Sequence, residues 1–213
     1  MRLALLPTIV FAVIVSAFTI SSAVDSSHAV PGDRAFSDVE QLVAMLEENT
    51  KAFHEAISGL TEQQWNFHES EDRWSIGEVA EHIVISEGLL SGMIGGVVLA
   101  SEPSEAAADS VTVTDEEVVA LMADRSQKFK APEQGIPKGV YATPEEAVAA
   151  FDEARKSTMQ LLQTDKDLRK HVGPHPAFGT IDGYQWFLFI ASHANRHLAQ
   201  IEQVKSHANY PAA

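Results

Sequence analysis

What most constrains this chain is a recurring punctuation, in which a side chain suited to capping a helix is followed by apolar residues at helical spacing. Ser37 and Glu40 form the first capping-box pattern, and Val39, Leu42, Val43, Leu46, Phe53 and Ile57 repeat behind them until Gly59. Ser75 and Glu78 open a second stretch with Val79, Ile83, Ser86 and Leu90 on its inner stripe, weakened at its end by Gly95 and Gly96. Thr114 and Glu117 cap a short helix expected to end near Lys128. Thr143, Pro144 and Glu146 give the strongest start of all, with proline at the first helical position, and Val148, Phe151, Ala154, Thr158, Leu161 and Leu162 lie inside. A last helix is expected from about Ile181 to His207, with Trp186, Ile190, His193, His197, Ile201 and Val204 facing inward. No stretch alternates in the manner of a strand, and His171 to Gly179 reads as a loop. The fold class expected is therefore all-α: an antiparallel four-helix bundle with one short extra helix in the long crossover, whose 130–142 segment holds Pro132, Gly135, Pro137 and Gly139.

A chain of 213 residues, 45% hydrophobic, has the apolar content for one domain with a sizeable core. Thirty acidic against 15 basic side chains give a net charge of -15, which argues against nucleic acid and anionic lipid as partners. With no cysteine, any metal must be held by histidine, carboxylate, carbonyl or water.

The first 23 residues read as a targeting segment, with Arg2, an uncharged run from Leu3 to Ile20, and small residues at Ser21-Ser22-Ala23 that fit a cleavage site. A second such site is Ser27-His28-Ala29. The run is also close to the length of a bilayer span, so a cleaved signal and a retained anchor are both open. Either way the body is expected to be exported, periplasmic or secreted. Residues 24–35 read as a linker, 36–207 as the bundle and 208–213 as a tail. No second long apolar run stands out.

The chemistry sits on the inward stripes. His193 and His197 are four residues apart, which puts both rings on one helix face roughly 6 Å apart along the axis, within reach of one ion about 2 Å from each nitrogen. His82 lies beside Val79 and Ile83 on the second helix in the same way. Three histidines from two helices would leave a coordination position open for water or substrate. The plainer reading is that these are core histidines hydrogen-bonded to carbonyls or hydroxyls. His193-Ala-Asn-Arg-His197 lacks the glutamate of a zincin, and no Glu-x-x-His of a di-iron bundle occurs.

Arg73-Trp74-Ser75-Ile76-Gly77-Glu78-Val79-Ala80-Glu81-His82-Ile83 and His193-Ala194-Asn195-Arg196-His197-Leu198-Ala199-Gln200-Ile201 resemble the two motifs of the DinB/YfiT-like superfamily, in its DinB-like domain form. Ala131-Pro132, Pro137, Thr143-Pro144-Glu145-Glu146 and Pro176-Ala177-Phe178-Gly179 also look familial, so the resemblance runs from about Phe36 to His207. It implies a four-helix bundle holding one divalent ion on His82, His193 and His197, zinc or nickel first, with iron or manganese also compatible. It leaves the reaction open between metal-dependent hydrolase and thiol-dependent transferase. Export separates this chain from most relatives and from the cytoplasmic thiol pool.

The reading that follows is a metal-dependent hydrolase in which the ion activates water toward a small-molecule substrate. The rival readings are a non-catalytic metal- or ligand-binding envelope protein and an envelope interaction protein whose histidines bind nothing. Helpers could be Glu78, one turn before His82, and Gln200, three residues after His197, although capping alone accounts for Glu78. His171 and His175 belong either to a surface loop or to the mouth of the metal pocket. His54 and His68 are expected at the surface or at helix boundaries, and Trp65, Trp74 and Trp186 as core anchors. A homodimer is one assembly open to such a chain.

Overall fold

The computed structural model describes the backbone of residues 31–212 and the side chains of residues 39–212. The targeting segment and residues 24–30 of the expected linker lie outside the described residues. Helix α1 spans Pro31–Ile57, so it begins before Ser37 and takes in the end of that linker; proline at its first position suits a helix start. A one-turn helix α2, Glu62–Trp65, follows with its own capping box on Thr61. Helix α3, Ile76–Met93, starts on the expected Ser75–Glu78 box. It widens into a π-helical turn at Ile94–Val98, where Gly95 lies against the Leu161 side chain. The crossover carries a one-turn helix α4, Glu105–Ala108, and helix α5, Asp115–Ala123. α5 stops five residues before Lys128 because Arg196 donates to the carbonyls of Met122, Asp124 and Gln127, capturing the end of the helix and the turn beyond it. Helix α6 is Pro144–Leu161, as the Thr143-Pro144-Glu146 signature predicts.

The loop expected at His171 to Gly179 is instead a two-stranded antiparallel hairpin, β1 Val172–His175 and β2 Gly179–Asp182. Val172 pairs with Asp182 and His175 with Gly179. The strands contain glycine, proline and aspartate, which are poor strand formers. What closes the hairpin is the three-residue turn Pro176-Ala177-Phe178 followed by Gly179 at φ 74°. Helix α7, Gly183–Lys205, starts directly from β2 through a capping box between Asp182 and Gln185.

Helices α1, α3, α6 and α7 form the bundle, with α1 and α3 each packing on both α6 and α7. Contacts along their lengths give the directions. Gln41 meets Tyr184 and Asn49 meets Asn195, so α1 and α7 run together. Glu87 meets Arg155 and Gly95 meets Leu161, so α3 and α6 run together. Phe53 stacks on Phe151 while the Leu46 carbonyl meets Arg155, so α1 and α6 are antiparallel. His82 lies near His197 while Val98 and Trp186 both flank Gly173, so α3 and α7 are antiparallel as well. Joining the parallel neighbours α3 and α6 needs a connection that returns along the bundle, and this accounts for the long crossover.

The interior divides into two apolar clusters. One gathers Leu42, Leu46, Ile94, Val98, Phe187 and Ile190. The other gathers Phe53, Ile57, Ile76, Val79, Ile83, Phe151 and Ile201. Burying each such side chain contributes about 1.5–3 kcal/mol. Between them lie buried polar groups, among them Asn49, His82, Glu87, Arg155 and Thr158. The segment Ile76–Val98 is long and apolar enough to cross a bilayer by length and composition alone, which the sequence reading did not single out. Here it is a core helix carrying the buried Glu81, His82 and Glu87.

Candidate metal centre

Two helix starts aim the site. The Ser75–Glu78 box sets where α3 begins, and His82 follows two turns later on its buried face. The Asp182–Gln185 box and the hairpin ahead of it set the start of α7, which presents His193 and His197 one turn apart. The three rings converge, with centroids 5.2 Å apart for His82 and His193, 4.5 Å for His82 and His197, and 4.6 Å for His193 and His197. Each offers one ring nitrogen, and the three nitrogens lie within 4.8 Å of one another.

The other nitrogens are fixed from outside. His82 Nδ1 is 2.6 Å from the Gly135 carbonyl oxygen. A carbonyl can only accept, so Nδ1 carries the proton and Nε2 keeps its lone pair. His197 Nδ1 donates to Gln200 Oε1 at 3.0 Å, with the same result. This is the arrangement by which metal-binding imidazoles are usually oriented. Ser86 Oγ stands 3.5 Å from His82 Nε2, too far for a firm hydrogen bond. Trp74 packs on the other side of His82 with ring centroids 4.9 Å apart.

His82 is buried, and His193 and His197 are half-buried yet closely surrounded. Burial is the first cause holding all three neutral. It lowers His82 against the opposing pull of the Gly135 carbonyl. It pushes His193 well below the usual histidine value, helped by His197, His82 and Arg196. It brings His197 down to about 3, again with His82 adding to the effect. Neutral imidazoles with free lone pairs are what a divalent ion requires. A tetrahedral ion with bonds of about 2.1 Å holds its nitrogens about 3.4 Å apart, so side-chain shifts of about an ångström would close the triad. The residues present therefore fit the group.

The remaining histidines separate cleanly. His54 pairs with Asp152 at 2.7 Å, and His68 sits half-exposed against the Arg73 carbonyl. His171 and His175 are both buried, so neither belongs to a surface loop. The His171 carbonyl accepts from Gly183 N at the start of α7. His175 packs among Phe178, Trp186 and Phe189, and burial lowers it to about 4. Phe189 in turn lies 5.8 Å from His193, so His175 stands one ring away from the triad. Trp65 and Trp186 are buried anchors, and Trp65 fits only because position 77 is glycine, where a Cβ would meet its indole at 2.7 Å.

Of the two expected helpers, Glu78 is spent on its cap, with Oε2 accepting from Ser75 N at 2.8 Å. Gln200 orients His197. Asn195 reaches Asn49 on α1. The sequence reading gave no role to Glu81 or to Gly135. Glu81, buried at 2% exposure, accepts from the backbone N–H groups of Lys138, Gly139 and Val140 at 2.8, 2.7 and 3.0 Å. An acidic residue immediately before His82 on an apolar stripe was the available signal, because a carboxylate there must find donors. Nothing in the sequence marks a carbonyl such as that of Gly135 in advance.

A four-helix bundle with three converging imidazoles defines a class of candidate metalloprotein, and comparison with known proteins adds the family. The sequence profile of the DinB superfamily matches residues 45–201, about three quarters of the chain, and the chain belongs to that superfamily. It is similar to YuaE of Bacillus subtilis strain 168, described as uncharacterized, with 26% identity over 151 residues covering 70% of this chain and 88% of YuaE. The solved structure of YfiT from Bacillus subtilis superposes with a TM-score of 0.54 at 17% identity, covering 87% of this chain and 93% of YfiT. YfiT is described as a probable metal-dependent hydrolase with an unusual four-helix bundle topology. At that identity the likeness establishes the fold.

Proposed function

We propose that this chain is an exported metal-dependent hydrolase acting on a small molecule, with His82, His193 and His197 as the ligands of one divalent ion. One observation carries the reading. Three neutral imidazoles bring ring nitrogens within 4.8 Å of one another, and two of them have their other nitrogen hydrogen-bonded outward. The description of YfiT and the N-terminal targeting pattern support it.

When bound, such an ion supplies a Lewis acid and a water of lowered pKa. The chain's own residues hold the geometry. Gly135 keeps the His82 proton on Nδ1, Gln200 keeps the His197 proton on Nδ1, and Trp74 shields one face of His82 from water. Zinc or nickel is the expected ion, since an all-imidazole donor set suits both.

The test is metal content of untagged protein beginning at residue 24, measured by elemental mass spectrometry beside His193→Ala. One ion per chain, lost in the variant, supports the site. Hydrolysis of ester, amide and phosphoester probes that stops on chelation and returns on reconstitution supports the activity. Hydrolysis undiminished after complete metal removal would sink it.

A second reading, a binding protein without turnover, draws on the engagement of Glu78 Oε2 in its cap and on Gln200 being an amide, which orients His197 but cannot act as acid or base. Cobalt-substituted protein separates the two. A visible spectrum that changes with added azide shows an exchangeable coordination position and favours the hydrolase. An unresponsive spectrum favours the binding protein.

A further inference from the structure

The crossover segment that meets His82 is held by its sequence neighbour. Glu81 and His82 leave α3 about 100° apart and reach the same stretch of chain at two points. His82 Nδ1 meets the Gly135 carbonyl, and the Glu81 carboxylate gathers three successive N–H groups, Lys138 on Oε1 and Gly139 and Val140 on Oε2. Gly139 adopts φ 73°, and this left-handed turn is what lets successive amides converge on one anion. The far end is tied as well, by Trp65 Nε1 donating to the Tyr141 carbonyl at 3.2 Å. Among the described residues the Glu81 charge is met by these amides, with no ion pair to it. A buried carboxylate with three charge-assisted hydrogen bonds is a firm anchor, and residues 136–141 have no helix or strand of their own after the Glu133–Gly135 turn.

We infer that Glu81 is a positioning residue for the candidate metal centre, the clasp that keeps the Gly135 carbonyl on His82 Nδ1 and so keeps His82 Nε2 free for an ion. The inference rests on the proposed function only in its last clause. Without the clasp, the segment carrying Gly135 lifts from α3. His82 then loses the acceptor that selects its tautomer, and a neutral imidazole in water prefers its proton on Nε2, the atom needed for binding.

The experiment compares wild type, Glu81→Gln and Gly139→Ala. Glu81→Gln keeps the shape but replaces one acceptor oxygen with a donor facing N–H groups. Gly139→Ala strains the clasp from the loop side; its Cβ would meet nothing within 4 Å, so only the backbone angle resists. It serves if Glu81→Gln does not fold.

Two readouts are taken. Imidazole nitrogen NMR of the metal-free protein reports the His82 tautomer, and chelator competition reports zinc and cobalt affinity. We expect Nδ1–H in wild type and appearance of Nε2–H in both variants. Metal affinity should fall about 10- to 100-fold in Glu81→Gln and less in Gly139→Ala. A His82 that stays Nδ1–H in a folded variant, with metal affinity within about twofold of wild type, overturns the inference and leaves Glu81 a fastener of the loop alone. If wild type binds no metal, the proposed function falls, and the tautomer comparison still decides whether Glu81 positions His82.

Discussion

Two of the polar clusters buried among the described residues are built on opposite terms. Between α1, α3 and α6, Arg155 donates to Glu87 and to the Leu46 carbonyl, and Thr158 donates to Glu87 Oε1 at 2.6 Å. Arg155 Nε lies a further 2.8 Å from Glu87 Oε1, and its guanidinium stands over the Phe151 ring. Opposite charges face each other there, and little capacity is left for a ligand. Between α3 and α7, His82, His193 and His197 face one another with no counter-charge in the triad. The outward nitrogens of His82 and His197 are tied down while the inward ones are not. The first arrangement satisfies itself and so holds the fold. The second has the protein-facing side of His82 and His197 satisfied and its centre available, which is how a protein keeps a polar site in its core for something else.

The largest expected effect tests the first half of that contrast. Removing one partner of a buried pair leaves an uncompensated charge, so Glu87→Ala or Arg155→Ala should cost about 3–5 kcal/mol of stability, read by urea unfolding. Metal stoichiometry of the folded fraction should be unchanged. A loss below about 1 kcal/mol would mean the Arg155 cluster is not what holds α6 against α3. The histidine triad should respond in the opposite way. Zinc at about 100 times its dissociation constant should stabilise the protein by about 2.7 kcal/mol, by scanning calorimetry, and the gain should vanish in His193→Ala. A gain that survives His193→Ala would place the ion elsewhere.

The contrast also explains what could be read in advance. Leu42, Phe53, Phe151 and Ile201 announce their helices because a buried stripe on a helix must recur at its period. Ser75 and Thr143 announce theirs because the capping group is local. His193 and His197 were legible for the same reason, being one turn apart. The β1–β2 hairpin was not, because a turn geometry centred on Gly179 forms it while its strand residues argue against it. Nor was the Arg155–Glu87 pair, since its partners lie 68 residues apart on helices whose pairing sequence periodicity does not encode. Glu81 falls between these cases. Its burial follows from its neighbours, but its partners are backbone amides of a crossover whose path depends on the parallel packing of α3 and α6.

Acid sharpens the comparison next. An unfolded histidine takes up a proton near pH 6.5, whereas the triad resists protonation, His197 down to about 3. Below about 6.5 the unfolded state therefore binds protons that the folded state refuses. The contribution of His197 to the stability of metal-free protein is full above that pH and falls as pH drops toward 3, by at most about 1.4 kcal/mol per unit. His197→Ala should flatten that slope. An unchanged slope between pH 6 and about 4 in His197→Ala would mean that His197 is not held neutral by the fold.

The smallest effect isolates the outward side of the triad. Gln200 is half-buried and touches the site only through His197 Nδ1, at 3.0 Å. Gln200→Ala frees that ring to turn and to move its proton, at a cost near one ordinary hydrogen bond, about 1 kcal/mol or roughly fivefold in metal affinity. Gln200→Glu should act in the other direction, because a carboxylate accepting the same proton makes Nε2 a stronger donor. Gln200→Glu keeps the size and shape of the side chain, so a gain in affinity there cannot come from packing. Chelator competition on the two variants is the measurement. Equal affinities in both would show that the orientation of His197 is set by its own helix and the aromatic rings around it, and that the triad is closed on its outer side only by Gly135.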